Sequence, residues 1–152
     1  MGNENATGFG RAWLALTLAF ALHVADEAST GFLSVYNPTV MAMRARWGWF
    51  PMPTFAFRGW LIGLMVAVAV CLALTPLAAR GKRGLRPVAW LYAVIMFLNG
   101  VGHTAATIAG HTVAMVTFPR PAPGFYSSPL LFVGSVWLAV RLKQSRVSSF
   151  ES

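Results

Sequence analysis

Apolar residues run along this chain in four long stretches separated by short polar or proline-rich breaks, and their lengths predict helices that cross a bilayer. Each crossing needs about 20 apolar residues at a rise of about 1.5 Å per residue. The first stretch, residues 12–32, follows a polar start from Met1 to Gly10 that predicts a frayed end. The second, residues 55–77, is uncharged between Arg58 and Arg80 and closes near Thr75-Pro76. The third, residues 87–118, is opened by Pro87 and stopped by the run from Pro119 to Gly124. It exceeds one crossing, which predicts a tilt, an outward projection or a kink at Asn99-Gly100-Val101-Gly102. The fourth occupies residues 128–142.

Between the first two stretches, Asn37-Pro38 is a helix-start signal, and Val40, Met41, Met43, Arg44, Arg46, Trp47 and Trp49 follow it. This segment is too short and too basic to span. Its Arg, Trp and Met content predicts an interfacial helix or loop at the headgroups, broken by Pro51-Met52-Pro53 before the chain re-enters the bilayer. Gly59 and Gly63 form a small-xxx-small pair that permits close helix contact. The expected fold is an all-α membrane protein, one domain over residues 1–152, built as a four-transmembrane-helix bundle with an interfacial segment between helices 1 and 2.

Composition supports that class. Hydrophobic residues make up 57% of the 152 and charged residues 11%, against roughly 25% charged in soluble domains. The net charge of +8 would suit nucleic acid, but the basic residues bracket apolar runs and no nucleic-acid motif is present, so no nucleic-acid partner is expected. Arg11, Arg80, Lys82, Arg83, Arg86, Arg141, Lys143 and Arg146 fall on one side of the four-helix layout, and Arg44, Arg46, Arg58 and Arg120 on the other. That bias places both termini in the cytoplasm, in a multi-pass protein of the cell membrane. Trp13, Trp47, Trp49, Trp60, Trp90 and Trp137 fall mostly near helix ends, as interface anchors do. Cys71 is the sole cysteine, so no internal disulfide forms. A secretory leader with Arg11 and residues 13–22 is the competing reading of the N-terminus. Against it, His23, Asp26 and Glu27 fall near the place where cleavage would occur.

The chemistry concentrates in those three residues. The chain has four acids, and Glu4 and Glu151 lie near its ends. Asp26 and Glu27 therefore stand as neighbours inside an apolar span, where a charge costs about 2.5 to 3.5 kcal/mol or more and calls for a partner. On a helix, His23 lies over Asp26 and Glu27, and Asn99 over His103. Depth matching pairs them: Glu27 lies about 22 Å along helix 1 and His103 about 24 Å along helix 3, and His23 and Asn99 lie at about 17 and 18 Å. His111 would stand about 12 Å beyond His103 on a regular helix, as an interfacial or outer group. Tyr126 and Ser128 sit beside the Pro-Gly loop as packing residues.

The order His23-Val24-Ala25-Asp26-Glu27, then Asn99-Gly100-Val101-Gly102-His103, then a loop ending in Pro123-Gly124 before the last helix resembles the HXXEE integral membrane proteins. They are named for a His-x-x-Glu-Glu motif, and Asp26 stands here in place of the first Glu, with the same charge on a shorter arm. The resemblance implies that His23, Asp26, Glu27 and His103 form a site, and it leaves the reaction open.

Imidazoles and carboxylates suit Zn²⁺ or iron, with an open position for water or substrate. The leading reading is a membrane-embedded enzyme acting on a lipid or other apolar substrate that enters from the bilayer. His23, Glu27, His103 and Asp26 are its candidate metal ligands, and Asn99 an orienting donor. Without metal, two adjacent carboxylates at low dielectric cannot both ionise easily, and the pair would serve as acid and base. A proton- or cation-coupled transporter is the alternative, although the internal repeats common in carriers are not evident. A noncatalytic scaffold is a third. Three ionisable groups on one turn exceed what fixing helix register needs, since membrane hydrogen bonds contribute only about 0.6 kcal/mol on average. Substrate and oligomeric state are not set by the sequence.

Overall fold

The computed structural model describes residues 2–147, with side chains over 7–144. Glu151 lies outside the described residues, as do the side chains of Glu4 and Arg146. The described residues form five α-helices: α1 (Gly2–Thr30), α2 (Leu33–Arg46), α3 (Phe57–Ala79), α4 (Arg86–Ala109, preceded by a 3₁₀ turn, Arg83–Leu85) and α5 (Ser128–Val147). No strand occurs among the described residues, where one isolated bridge joins His111 to Thr117. Three stretches are long and apolar enough to cross a membrane: Thr7–Thr30, Phe57–Ala79 and Arg83–Ala109.

Helix α1 is the hub. It packs against α3 and α5, and α4 packs against α5. Over its most apolar window α1 is 56% buried, against 28% for α4 and 6% for α3, so α3 is the most open of these three. Because lipid tails are as apolar as leucine, close packing and hydrogen bonds must hold such helices together. Both are present: Trp13 Nε1 donates to the Cys71 carbonyl at 2.8 Å, and Gly10 lies so close to α3 that a Cβ would stand 2.6 Å from the Ala79 Cα. Gly59 and Gly63 have open space around them, so the expected contact there is not made and Gly10 serves that role. The seam between α1 and α4 is wider and filled by large side chains. Trp13 and Phe20 flank Tyr92 with ring centroids 5.2 and 6.2 Å away.

Several boundaries differ from the hydropathy reading. α1 begins at Gly2, within the segment expected to fray, and ends at Thr30 because Gly31 turns left-handed (φ +77°). The Phe32 N–H then donates back to the Glu27 carbonyl at 3.0 Å, the six-to-one bond of a Schellman close. α2 consequently starts at Leu33 with Pro38 inside it. Asn37 is not its cap. Its amide exchanges two hydrogen bonds with the Phe55 backbone, 2.9 and 3.0 Å, and ties α2 to the approach to α3. Pro76 lies within α3, which continues to Ala79.

The largest difference is at α4, which ends at Ala109. Instead of tilting, projecting or kinking, the chain leaves the helix at Gly110 (φ +79°) and folds back. His111 is therefore off the helix, with Nδ1 2.9 Å from the Thr112 carbonyl. The 110–127 segment is pinned over three helices. Thr112 accepts from Thr39 at 3.1 Å, the Ala122 N–H donates to Thr107 at 3.0 Å, and the Gly124 N–H donates to Thr30 at 3.1 Å.

Candidate metal centre

Under that pinned segment, α1 and α4 bring three buried groups together. The helical period places His23 and Glu27 one above the other on the face of α1 turned to α4. Glu27 Oε1 lies 3.4 Å from His23 Nε2 and 3.1 Å from His103 Nε2. The two imidazoles meet edge to face with centroids 4.8 Å apart. Fractional exposures of 0, 4 and 8% for His23, Glu27 and His103 remove all three from solvent. One ligand atom from each lies within 4.8 Å of the others, and the group can hold a metal ion. Asn99 Nδ2 stands 3.3 Å from His23 Nε2. Both level-matched pairs thus meet across the α1/α4 seam.

Asp26 does not join this group. Successive helical residues are rotated by about 100°, so when Glu27 faces α4, Asp26 faces the start of α5. Its Oδ2 accepts from the Ser127 N–H at 2.9 Å and from the Ser127 hydroxyl at 2.8 Å. Ser127 Oγ also lies 2.8 Å from His23 Nδ1. Asp26 therefore reaches the cluster through Ser127 and not as a ligand.

Ser127 is the site residue that the sequence reading missed. The run Ser127-Ser128-Pro129 announces a helix start, which directs attention to capping, yet the Ser127 side chain turns inward. Ser128, flagged beside the loop, donates to the Gly124 carbonyl at 2.8 Å, and Tyr126 is exposed. Gly124 was read only as the loop's end. It is left-handed (φ +82°), and a Cβ there would lie 2.8 Å from His103 Cε1 and 3.0 Å from Glu27 Cγ. The backbone itself closes the cluster on that side.

A cavity of about 450 Å³ opens beside the cluster, between α2 and α4 and beneath the pinned segment. His103 and Asn99 line one part of it, and His111 and Thr112 another. Its α4 wall carries Gly102, Ala105, Ala106 and Ala109 at helical spacing, and the missing side-chain volume makes the room. Tyr36 and Thr39 stand on the α2 wall. Comparison of the chain with protein families, with curated proteins and with solved structures finds no match in any of the three.

Proposed function

We propose that this protein is a membrane-embedded enzyme that uses a divalent metal, zinc or iron, on a lipid or other apolar substrate. One observation carries the reading: a buried two-histidine, one-glutamate set adjoins an apolar cavity large enough for a small-molecule substrate, and His103 belongs to both. The donor chemistry suits such an ion. Two ligands about 2.0 to 2.1 Å from a tetrahedral centre stand roughly 3.4 Å apart, and the Glu27 oxygen lies 3.4 and 3.1 Å from the two imidazole nitrogens. Three protein ligands also leave a coordination position open, as catalytic rather than structural zinc sites do.

When bound, the metal supplies Lewis acidity, polarising a carbonyl or lowering the pKa of a bound water. The chain's own residues do the rest. Glu27 offsets the charge of the ion in a setting where an unpaired carboxylate is costly. The Asn99 amide offers a donor at the cavity's edge, and the small wall of α4 admits an apolar body while excluding water.

In this reading α5 is the fourth crossing and both termini are cytoplasmic. Support comes from its buried Leu131, Leu138 and Leu142 and its exposed Val133, Val136 and Val140. Arg141 and Lys143 follow at the end where Arg80 to Arg86 also lie. The HXXEE membership suggested by the His23-x-x-Asp26-Glu27 order is part of the same proposal. Elemental analysis of protein purified without chelator, then reloaded with Zn²⁺ or Fe²⁺, tests it. About one ion per chain is expected, lost in His103→Ala. No stoichiometric metal under either condition removes the metal and leaves Glu27 with the histidines as an acid–base group.

A further inference from the structure

The Ser127 hydroxyl carries one proton and has three neighbours: Asp26 Oδ2 at 2.8 Å, His23 Nδ1 at 2.8 Å and the Gly124 carbonyl at 3.3 Å. A carboxylate is the stronger acceptor, and here it is also nearer than the carbonyl. The proton therefore goes to Asp26, and Ser127 Oγ can only accept from His23. That places a hydrogen on His23 Nδ1. On the other face of the ring, Asn99 Nδ2 stands 3.3 Å from Nε2 and can donate to a lone pair there.

We propose that Ser127 and Asp26 are positioning residues that hold neutral His23 as its Nδ1–H tautomer and so leave Nε2 without a hydrogen beside Glu27 and His103. The chain Asp26–Ser127–His23 runs from α1 to the residue before α5 and back to α1 in the cluster. It gives the adjacent acids separate duties, Glu27 within the cluster and Asp26 behind His23. Nε2, carrying no hydrogen of its own, then stands 3.4 Å from Glu27 Oε1, an arrangement that a cation relieves. Outer partners of this type orient metal-binding histidines, and losing one weakens metal affinity by about 10- to 100-fold.

The tautomer assignment stands on the apoprotein's hydrogen bonds; its consequence for affinity rests on the metal reading above, and two measurements separate them. The first is nitrogen NMR of ¹⁵N-histidine-labelled, metal-free protein in detergent, with the three histidines assigned through single His→Gln variants. His23 should be protonated at Nδ1 in the native chain and in Ser127→Thr, and should shift towards Nε2–H in Ser127→Ala. The second is Zn²⁺ titration, in which Ser127→Ala should bind about 10- to 100-fold more weakly and Ser127→Thr close to normally. The Ser127 N–H bond to Asp26 survives in Ser127→Ala, so its melting temperature without metal should stay near that of the native chain. A purely structural serine would lower that temperature and leave tautomer and affinity alone. An Nε2–H tautomer in native metal-free protein, or unchanged tautomer and affinity in Ser127→Ala, overturns the proposal. An Nδ1–H tautomer in a native chain that binds neither Zn²⁺ nor Fe²⁺ overturns the metal reading and leaves the positioning role standing.

Discussion

Gly124 lies against His103 so closely that a Cβ on the glycine would stand 2.8 Å from the ring's Cε1. Backbone thus presses directly on the His103 ring. Gly124→Ala combines this clash with a left-handed backbone, a conformation that costs a non-glycine residue about 1 to 3 kcal/mol. A lowered melting temperature in detergent is expected, together with weakened Zn²⁺ binding. Native stability and native binding together would show that the segment moves aside freely.

Removing either side of the Glu27–His103 contact should differ in cost. His103→Ala leaves a carboxylate buried without that donor, a class of change that costs about 3 to 5 kcal/mol. Glu27→Gln removes the charge and keeps an acceptor, so it should destabilise less. Added Zn²⁺ should raise the native melting point, by an amount equivalent to about 2.7 kcal/mol at 100 times Kd. Neither variant should show this rise. A full rise in either one excludes that residue as a ligand.

The cavity and the cluster can be separated by Ala109→Phe, which fills the small wall of α4 about 9 Å along the helix from His103. Metal content should match the native chain. A photoreactive palmitoyl probe should label peptides from α2 and α4 in the native protein and fail to do so in the variant. Equal labelling in both would place the apolar ligand elsewhere.

Single cysteines at Lys82 and Arg120, introduced in a Cys71→Ala background, should react with impermeant reagent from opposite sides of the membrane. Labelling of both from one side breaks the topology.

Much of the cluster was legible because helical rise is regular. Counting from helix starts matched Glu27 to His103 and His23 to Asn99 without any coordinates, since both pairs lie on uninterrupted helix. Residues 110–118 were misread because their composition is nearly as apolar as the helix before them, and hydropathy carries no record of a backbone that reverses. Gly110 was the only local sign. Gly31 was a similar sign for the end of α1, outweighed by Asn37-Pro38, which proved to be a mid-helix proline and a side chain bonded to Phe55. Asp26 was assigned to the ligand set because it stands three residues from His23, as Glu27 stands four, and both spacings share a helix face. The rotation between neighbours sends it to Ser127 instead, and no pattern within α1 names a partner that lies 101 residues away.

That separation sets an order of events during synthesis. His23 leaves the ribosome 76 residues before Asn99, a delay of roughly 4 to 15 s at about 5 to 20 residues per second. Ser127 comes later still. Through that interval α1 carries His23, Asp26 and Glu27 with none of their partners beyond the helix yet made. Alone, it is a poorer candidate for insertion into lipid than α3, which has no acid and a mean window hydropathy of 2.5 against 1.3. The hub of the bundle is therefore less able than α3 to commit to the bilayer by itself. Its lasting integration waits on α4 and α5, which makes assembly of this site and maturation of the fold a single late event.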